Sequence, residues 1–485
     1  MKINELQPTL LWGIFDEITK IPRPSKKEEK IRQFLLDFAK KHNLKSTTDK
    51  IGNVVISKPA TPGYENAKGI ILQGHMDMVC EKNSDVSHNF DTDPIETVID
   101  GEWVRANGTT LGADNGIGMA GALAALVSKD LVHGPIEALF TVDEETGLTG
   151  ANKLGNDMIH GDILINLDSE DEAQVFIGCA GGIDTVAAFN YNRSYSPENF
   201  HYFKLQIKGL LGGHSGSDIN QGRANAVKLL ARFLWETMQT AEISISQIDA
   251  GNLRNAIPRE GSVILGIHTD KKESLRVKLN HLIAELENEY KGLENISIVA
   301  ETVDTPEFCI DSATATALVR ALYTCPHGVL SMSRSMEGLV ETSTNLASVK
   351  MQGDNEILVT TSQRSSVESR KFDAAHQVEA CFQLAGAKVT HGDGYPGWEP
   401  NTDSPILKTA IKAYEELYHV TPEIKAIHAG LECGLFLKNY PNLDMISFGP
   451  TLQNVHSPRE RMHIPAVEKY WNHLAKILEM TAKGE

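Results

Sequence analysis

Hydrophobic positions change period repeatedly along the chain, and the changes mark out alternating strands and helices. The apolar runs 69–73, 136–142, 162–167 and 445–448 are short, continuous and rich in Ile, Leu and Val, as buried strands are. The segment 10–18 instead has helical spacing and stops before Pro22-Arg23-Pro24, where proline cannot continue a helix. Ser25, with Glu28 three residues on, predicts a capping box that opens a helix running to about His42. A further helix, Asn115 to Val127, is rich in Gly and Ala and suited to close packing. Strands and helices alternate in this way through Asp168, which predicts an α/β architecture with a largely parallel sheet.

The pattern changes after Cys179-Ala180-Gly181-Gly182. Residues 201–207 alternate apolar and polar, as a half-exposed strand does. A helix (about 224–240), strands near Ile243 and Val263 and a helix (about 272–290) follow. A second cycle then has a strand near Ile296, a helix near 313–322, strands near Leu346 and Ile357 and a helix near 374–384. Two similar cycles predict an inserted, internally duplicated α+β domain. Residues 392–398 read as a return linker. Beyond it the α/β pattern resumes, with a helix from Ser404, a strand around Ile424, a helix opened by Gly430-Leu431-Glu432-Cys433-Gly434, the strand at Met445 and a last helix, 466–480. The expected organisation is one domain formed by 1–182 and 396–485, interrupted by a second at 183–395. A chain of 485 residues exceeds what one core usually supports.

Composition narrows the function. The balance of 46 basic against 64 acidic residues, a net charge of −18, argues against nucleic acid or an anionic membrane as partner. No apolar run approaches the ~20 residues needed to span a bilayer, and the first residues have no apolar signal core, which predicts a cytoplasmic protein. The six cysteines have no CxxC spacing, so they read as free thiols rather than as a structural zinc site. Any metal here is expected to be held by oxygen and imidazole.

Candidate ligands of that kind sit at strand ends. His75 and Asp77 follow the run 69–73, and in a strand i and i+2 share a face. A carboxylate so placed can take the second ring N–H of a ligating histidine. Asp114 lies in the glycine-rich turn Gly112-Ala113-Asp114-Asn115-Gly116; Glu144 and Glu145 follow the run 136–142; Asp168 closes 162–167; His456 comes after 445–448. The carboxyl edge of an open α/β sheet is where ligands bind. Amide hydrolysis needs an activated water and help for the developing oxyanion, and two cations ~3.5–4 Å apart supply both. The inventory suits such a pair: Asp114 as bridge, His75 and Asp168 on one ion, Glu145 and His456 on the other, and Glu144 left as general base. Zinc, or manganese or cobalt in its place, suits this donor set.

Together these motifs resemble the dinuclear zinc superfamily of aminoacylases and glutamate carboxypeptidases, over nearly the whole chain. The resemblance is strongest to its aminoacyl-histidine dipeptidase branch, through Gly178-Cys179-Ala180-Gly181-Gly182, Gly212-Gly213-His214-Ser215-Gly216, the segment 254–260, His428-Ala429-Gly430-Leu431-Glu432 and Tyr395-Pro396-Gly397-Trp398. The resemblance implies a zinc-exopeptidase-like catalytic domain with an inserted lid, two zinc ions per chain on His75, Asp114, Glu145, Asp168 and His456, and Asp77 orienting His75. It also implies Glu144 as base, a cis peptide after Asp114, and substrate contacts from His214, Asn255 and Arg364 in the lid. Implied too are dipeptide substrates, preferentially Xaa-His such as β-alanyl-histidine, and a homodimer held through the lid. The same centre would serve an acylamino-acid hydrolase or a carboxypeptidase. Relatives carry a Gly-Gly-Thr/Ser-Asp element where this chain has Ala429-Gly430-Leu431-Glu432.

Overall fold

The computed structural model describes residues 2–485, which form two compact units. The first comprises 2–179, 398–426 and 431–485, and the second 180–397 with the short excursion 427–430. Nothing in the element pattern signals that excursion.

The first unit is built on an eight-stranded sheet in the order Lys45–Thr48, Val54–Lys58, Ile136–Thr141, Ile70–His75, Ile163–Asn166, Asp444–Ser447, Gln174–Cys179, Glu423–Ile427. The centre is parallel: Ile70–His75 pairs in parallel with both neighbours, and so does Ile163–Asn166 with Asp444–Ser447. Three flanking pairings are antiparallel, Lys45–Thr48 with Val54–Lys58, Val54–Lys58 with Ile136–Thr141 and Gln174–Cys179 with Asp444–Ser447, so the parallel pairing expected above is concentrated in these four central strands. The reason is connection length: the short loop between Lys45–Thr48 and Val54–Lys58 allows only a hairpin, whereas parallel neighbours need a crossover. Every residue of Ile70–His75 and Ile163–Asn166 is buried, which explains their unbroken apolar runs. The helix Ala113–Val127 packs so closely on the last helix, Ile464–Lys483, that a Cβ on Gly121 would strike the Tyr470 hydroxyl.

The capping box does not form. The helix runs Glu29–Lys41 with Glu28 as N-cap and no side-chain capping bond. Ser25 Oγ donates instead to Asp77 Oδ2 (2.8 Å), and Glu28 Oε1 accepts from the backbone N–H of Lys26 (2.8 Å) and of Asp143 (3.0 Å). Buried partners distant in sequence have displaced a local motif.

The second unit holds a wholly antiparallel nine-stranded sheet with helices packed on it. Its first half runs Phe200–Lys208, helix Ala226–Met238, Ile243–Ala250, Gly261–His268, helix Lys272–Glu289, Ser297–Thr302. Its second runs Gly181–Asn190, helix Ser312–Thr324, Val340–Gln352, Glu356–Ser365, helix Glu368–Leu384, Lys388–His391. In each half the strands lie in the spatial order fourth, first, third, second, and the two halves join through their second strands. The strand near Ile296 therefore closes the first cycle rather than opening the second, whose first strand precedes the whole of the first half. One repeat is nested inside the other, an order that a linear reading does not reveal. Among the described residues no helix is long and apolar enough to cross a membrane.

Candidate metal centre and active site

Four of the five candidate ligands follow the carboxyl ends of central strands, and Asp114 comes from a helix start. His75 ends its strand, and its Nδ1 lies 3.3 Å from Asp77 Oδ1, both side chains being buried. Glu144 and Glu145 follow Ile136–Thr141 through Asp143, which takes a left-handed φ of 51°. Asp168 follows Ile163–Asn166, and His456 sits on the loop after Asp444–Ser447. Asp114 stands at the start of its helix with non-helical backbone angles, and the Asp114–Asn115 peptide is cis.

The structure brings these residues together around Asp114. His75 Nε2 is 3.0 Å from Asp114 Oδ1 and 3.4 Å from Asp168 Oδ1. His456 Nε2 is 3.0 Å from both Asp114 Oδ2 and Glu145 Oε2. The two oxygens of Asp114 thus face two different imidazoles. Two groups, His75–Asp114–Asp168 and Asp114–Glu145–His456, each keep their donor atoms within 4.8 Å of one another, as a metal ion requires. A third such group, His75–Glu144–Glu145, places Glu144 against the same centre.

The electrostatics fit cations. Burial disfavours charge on His75, yet Asp168, Asp114 and Asp77 push it to hold its proton well above the usual imidazole range. Hydrogen bonds to Asp114 and Glu145 push His456 up to about 11. Burial and the neighbouring acids raise Asp168 to about 6. Glu144 is driven well above the carboxylate range by burial, with Asp168, Glu432 and Glu145 adding to it and His75 opposing. Asp77 is held at about 2, because the bonds from His75, the Glu144 N–H and Ser25 outweigh its burial. The site balances its acids only by protonating its imidazoles, which is the work of divalent cations on the same donors. Glu145 Oε1 and Asp168 Oδ1 are buried without a hydrogen-bond partner, as atoms reserved for a metal would be.

Several supporting residues had no signal in the sequence. Asp77 also accepts from the backbone N–H of Glu144 (3.0 Å) and of Glu145 (3.2 Å), tying the candidate base and a candidate ligand to the strand that carries His75. The buried Arg23 guanidinium donates to Met76 O (3.0 Å), Asp77 O (2.6 Å) and Gly112 O, lacing two ligand loops together. Asn115 Nδ2 donates to Leu167 O (2.7 Å), beside Asp168, and a Cβ on Gly74 or Gly118 would strike the Asn115 amide. Glu460 Oε2 accepts from the N–H groups of Leu111 (2.7 Å) and Gly112 (3.0 Å), and Oε1 from those of Ala113 (2.7 Å) and Asp114 (3.4 Å). Beneath His75 a buried chain runs from Ser447 Oγ to Asn166 Oδ1 (2.5 Å), from Asn166 Nδ2 to Gln73 Oε1 (2.6 Å) and from Gln73 Nε2 to Glu432 Oε2 (2.5 Å). The only hints in the sequence were that Glu460 lies four residues beyond His456 and that Glu432 breaks the superfamily pattern.

The remaining candidates lie in the second unit. Arg364, largely buried, donates to Ser215 Oγ (3.3 Å) and to the Tyr395 hydroxyl (2.9 Å). Burial and Arg364 together lower His214, and they push His428 down to about 3. Ser343 Oγ lies 2.7 Å from His428 Nε2. His428 was not singled out as a site residue in the sequence. Asn255 is exposed, and its backbone carbonyl accepts from the Ser215 N–H (2.8 Å).

The chain is similar to known proteins along its whole length. The crystal structure of aminoacylhistidine dipeptidase from Vibrio alginolyticus matches with a TM-score of 0.93 at 44% identity, covering 99% of this chain and 98% of that one. An aminopeptidase from Bacillus cereus shares the fold alone, at a TM-score of 0.58 and 14% identity over 98% of this chain and 99% of its own. The cytosol non-specific dipeptidase of Escherichia coli (strain K12) is 43% identical over 484 residues, covering 99% of this chain and 100% of that protein. The profile of peptidase family M20/M25/M40 matches residues 71–480. With a profile over most of its length and a relative alike from end to end, the chain belongs to peptidase family M20/M25/M40.

Proposed function

We propose that this peptidase hydrolyses unblocked dipeptides, preferentially Xaa-His such as β-alanyl-histidine, at a centre of two zinc ions, which manganese or cobalt can replace. The observation that carries the reading is Asp114, whose two oxygens each lie 3.0 Å from a different imidazole, with Glu144 against the same centre. His75 and Asp168 would hold one ion and Glu145 and His456 the other, with Asp114 offering a carboxylate oxygen to each group. When bound, the two cations lower the pKa of water and polarise the scissile carbonyl. Glu144 accepts the proton of the attacking water and passes it to the departing amine, for which a carboxylate raised above its usual range is suited. Asp77 holds His75 with Nε2 turned to Asp114 and Asp168. In the second unit, which serves as the lid, Arg364 and Asn255 receive the substrate carboxylate and His214 supports the oxyanion. The enzyme acts in the cytoplasm, where the name of the Escherichia coli relative places that protein, as a homodimer joined through the lids.

The test is a panel of free dipeptides, N-acetyl amino acids and longer peptides, assayed after reconstitution with zinc, manganese or cobalt and again after chelation. Free dipeptides, Xaa-His first among them, are expected to turn over, and chelation to abolish the activity. A fully metal-loaded protein that cleaves no dipeptide would overturn the proposal.

A further inference from the structure

Resting on that metal-centre reading, we infer that Glu460 is the positioning residue that sets the bridging carboxylate of Asp114. In the turn before Asp114 the N–H groups of residues 111–114 converge on one point, helped by the left-handed φ of 68° at Gly112. Convergent backbone N–H groups of this kind form an anion-binding nest. Here the acceptor is a carboxyl side chain of the same protein. Glu460 is 2% exposed, and each of its oxygens takes two of the four N–H groups. Arg23 fixes Gly112 O in the same turn. The backbone that carries Asp114 is therefore held on both its donor and its acceptor groups, leaving the side chain free to face His75 and His456.

The segment that supplies Glu460 also supplies His456, so 456–460 acts twice on one residue. His456 meets Asp114 Oδ2 through its ring, and Glu460 meets the Asp114 N–H through its carboxylate. A shift of this loop would move a terminal ligand and the bridge together. Glu460 itself lies outside the groups of donors able to hold an ion and touches the reacting atoms only through Asp114.

Glu460→Gln keeps the volume but turns an amide NH2 towards N–H donors in one half of the nest. Glu460→Asp keeps the charge but shortens the reach by one methylene. The decisive measurement is calorimetric titration of the chelator-stripped full-length protein with zinc, together with the absorption spectrum of the cobalt(II) form. Glu460→Gln is expected to weaken metal binding by about 10- to 100-fold, to alter the cobalt spectrum and to lower kcat more than it raises KM. Glu460→Asp should lie between it and the unsubstituted protein. Glu137→Gln is the control, because Glu137 likewise holds loop N–H groups (His160, 2.7 Å; Gly161, 3.0 Å), but near the other end of the strand that leads to Glu144. It should leave the titration unchanged.

Folded Glu460→Gln with native affinity and spectrum would overturn the inference, as would an equal weakening by Glu137→Gln. If Glu460→Gln does not accumulate, Glu460→Asp decides: native affinity there refutes the role. Should the unsubstituted protein itself bind no metal, it is the metal-centre reading that fails, an outcome seen before any variant is compared.

Discussion

Around Asp114 in the first unit, carboxylates crowd two imidazoles, and the one buried guanidinium nearby, Arg23, donates only to carbonyls. Around Arg364 in the second unit, imidazoles, serines and a tyrosine gather with no carboxylate within ion-pair distance of the guanidinium among the described residues. The histidines register the difference. His456 is pushed up to about 11 by Asp114 and Glu145, whereas burial and Arg364 push His428 down to about 3. One residue type is drawn towards positive charge in the first setting and held neutral in the second. A buried charge needs a partner, so the first cluster calls for cations and the second for an anion.

The largest expected effect lies in the acidic cluster. Glu144→Gln removes the proposed base while leaving the five proposed ligands in place. Turnover should fall by roughly 10²- to 10⁴-fold, the span of general-base contributions. Metal content, read by elemental analysis, should be unchanged. Loss of the metals together with activity would mean that Glu144 is a ligand, and retained turnover would remove it from the chemistry.

The cationic cluster is sharpened by Arg364→Met. Charge-assisted hydrogen bonds contribute about 1.5–3 kcal/mol, so kcat/KM on free dipeptides should drop by roughly 10- to 100-fold. Dipeptides with an amidated C-terminus should lose little, since they bring no carboxylate to the guanidinium. Equal losses on both substrates would show that Arg364 supports the fold of its cluster rather than receiving an anion.

How legible these regions are in the sequence depends on how far apart their partners lie. The buried central strands announce themselves as apolar runs, and the acids at their carboxyl ends stand out because each follows such a run. Ser25 and Glu28 misled because a capping box is a local pattern, whereas their actual partners, Asp77 and Asp143, lie 52 and 115 residues away. Glu460 had no local mark beyond its nearness to His456 for the same reason, its four partners being 346 to 349 residues distant. In the second unit, periodicity found both cycles of elements but assigned Ser297–Thr302 to the wrong one, because Gly181–Asn190 pairs with strands that begin 175 and 207 residues after it does. Residue types alone did not single out Arg364 or His214. Only the family resemblance pointed to them, since a lone arginine in a strand or a histidine among glycines has no local mark of function.

Acid offers a smaller break in the comparison. His428 and His327, both in the second unit, are held neutral by burial, with folded values of about 3 and about 4. An unfolded histidine titrates near ~6.5. Because the folded values are depressed, the folded chain refuses protons that the unfolded chain accepts. The stability they support is intact above that value and is lost as pH falls below it, at about 1.4 kcal/mol per pH unit for each imidazole, until the folded value is reached. Urea unfolding of the native protein and of His428→Asn at pH 7, 6 and 5 isolates one of them. The stability gap between the two should narrow by about 1.4 kcal/mol per unit once below ~6.5. A gap that stays constant would show that His428 is not kept neutral.

The finest test separates a local motif from a buried partner at one hydroxyl. If Ser25 capped the helix Glu29–Lys41, Ser25→Ala would cost about 1 kcal/mol of stability and leave kcat alone. Its hydroxyl in fact donates to Asp77 Oδ2, the oxygen that also accepts from the Glu145 N–H, and Asp77 keeps its bonds to His75 and Glu144 without it. The loss should therefore appear at the centre: one neutral-to-charged hydrogen bond among several, about 1 kcal/mol, or roughly a fivefold fall in kcat or metal affinity. Thermal unfolding of the variant beside its steady-state kinetics tells the two apart, because only a hydroxyl that steadies Asp77 can slow the reaction while leaving the helix as it was.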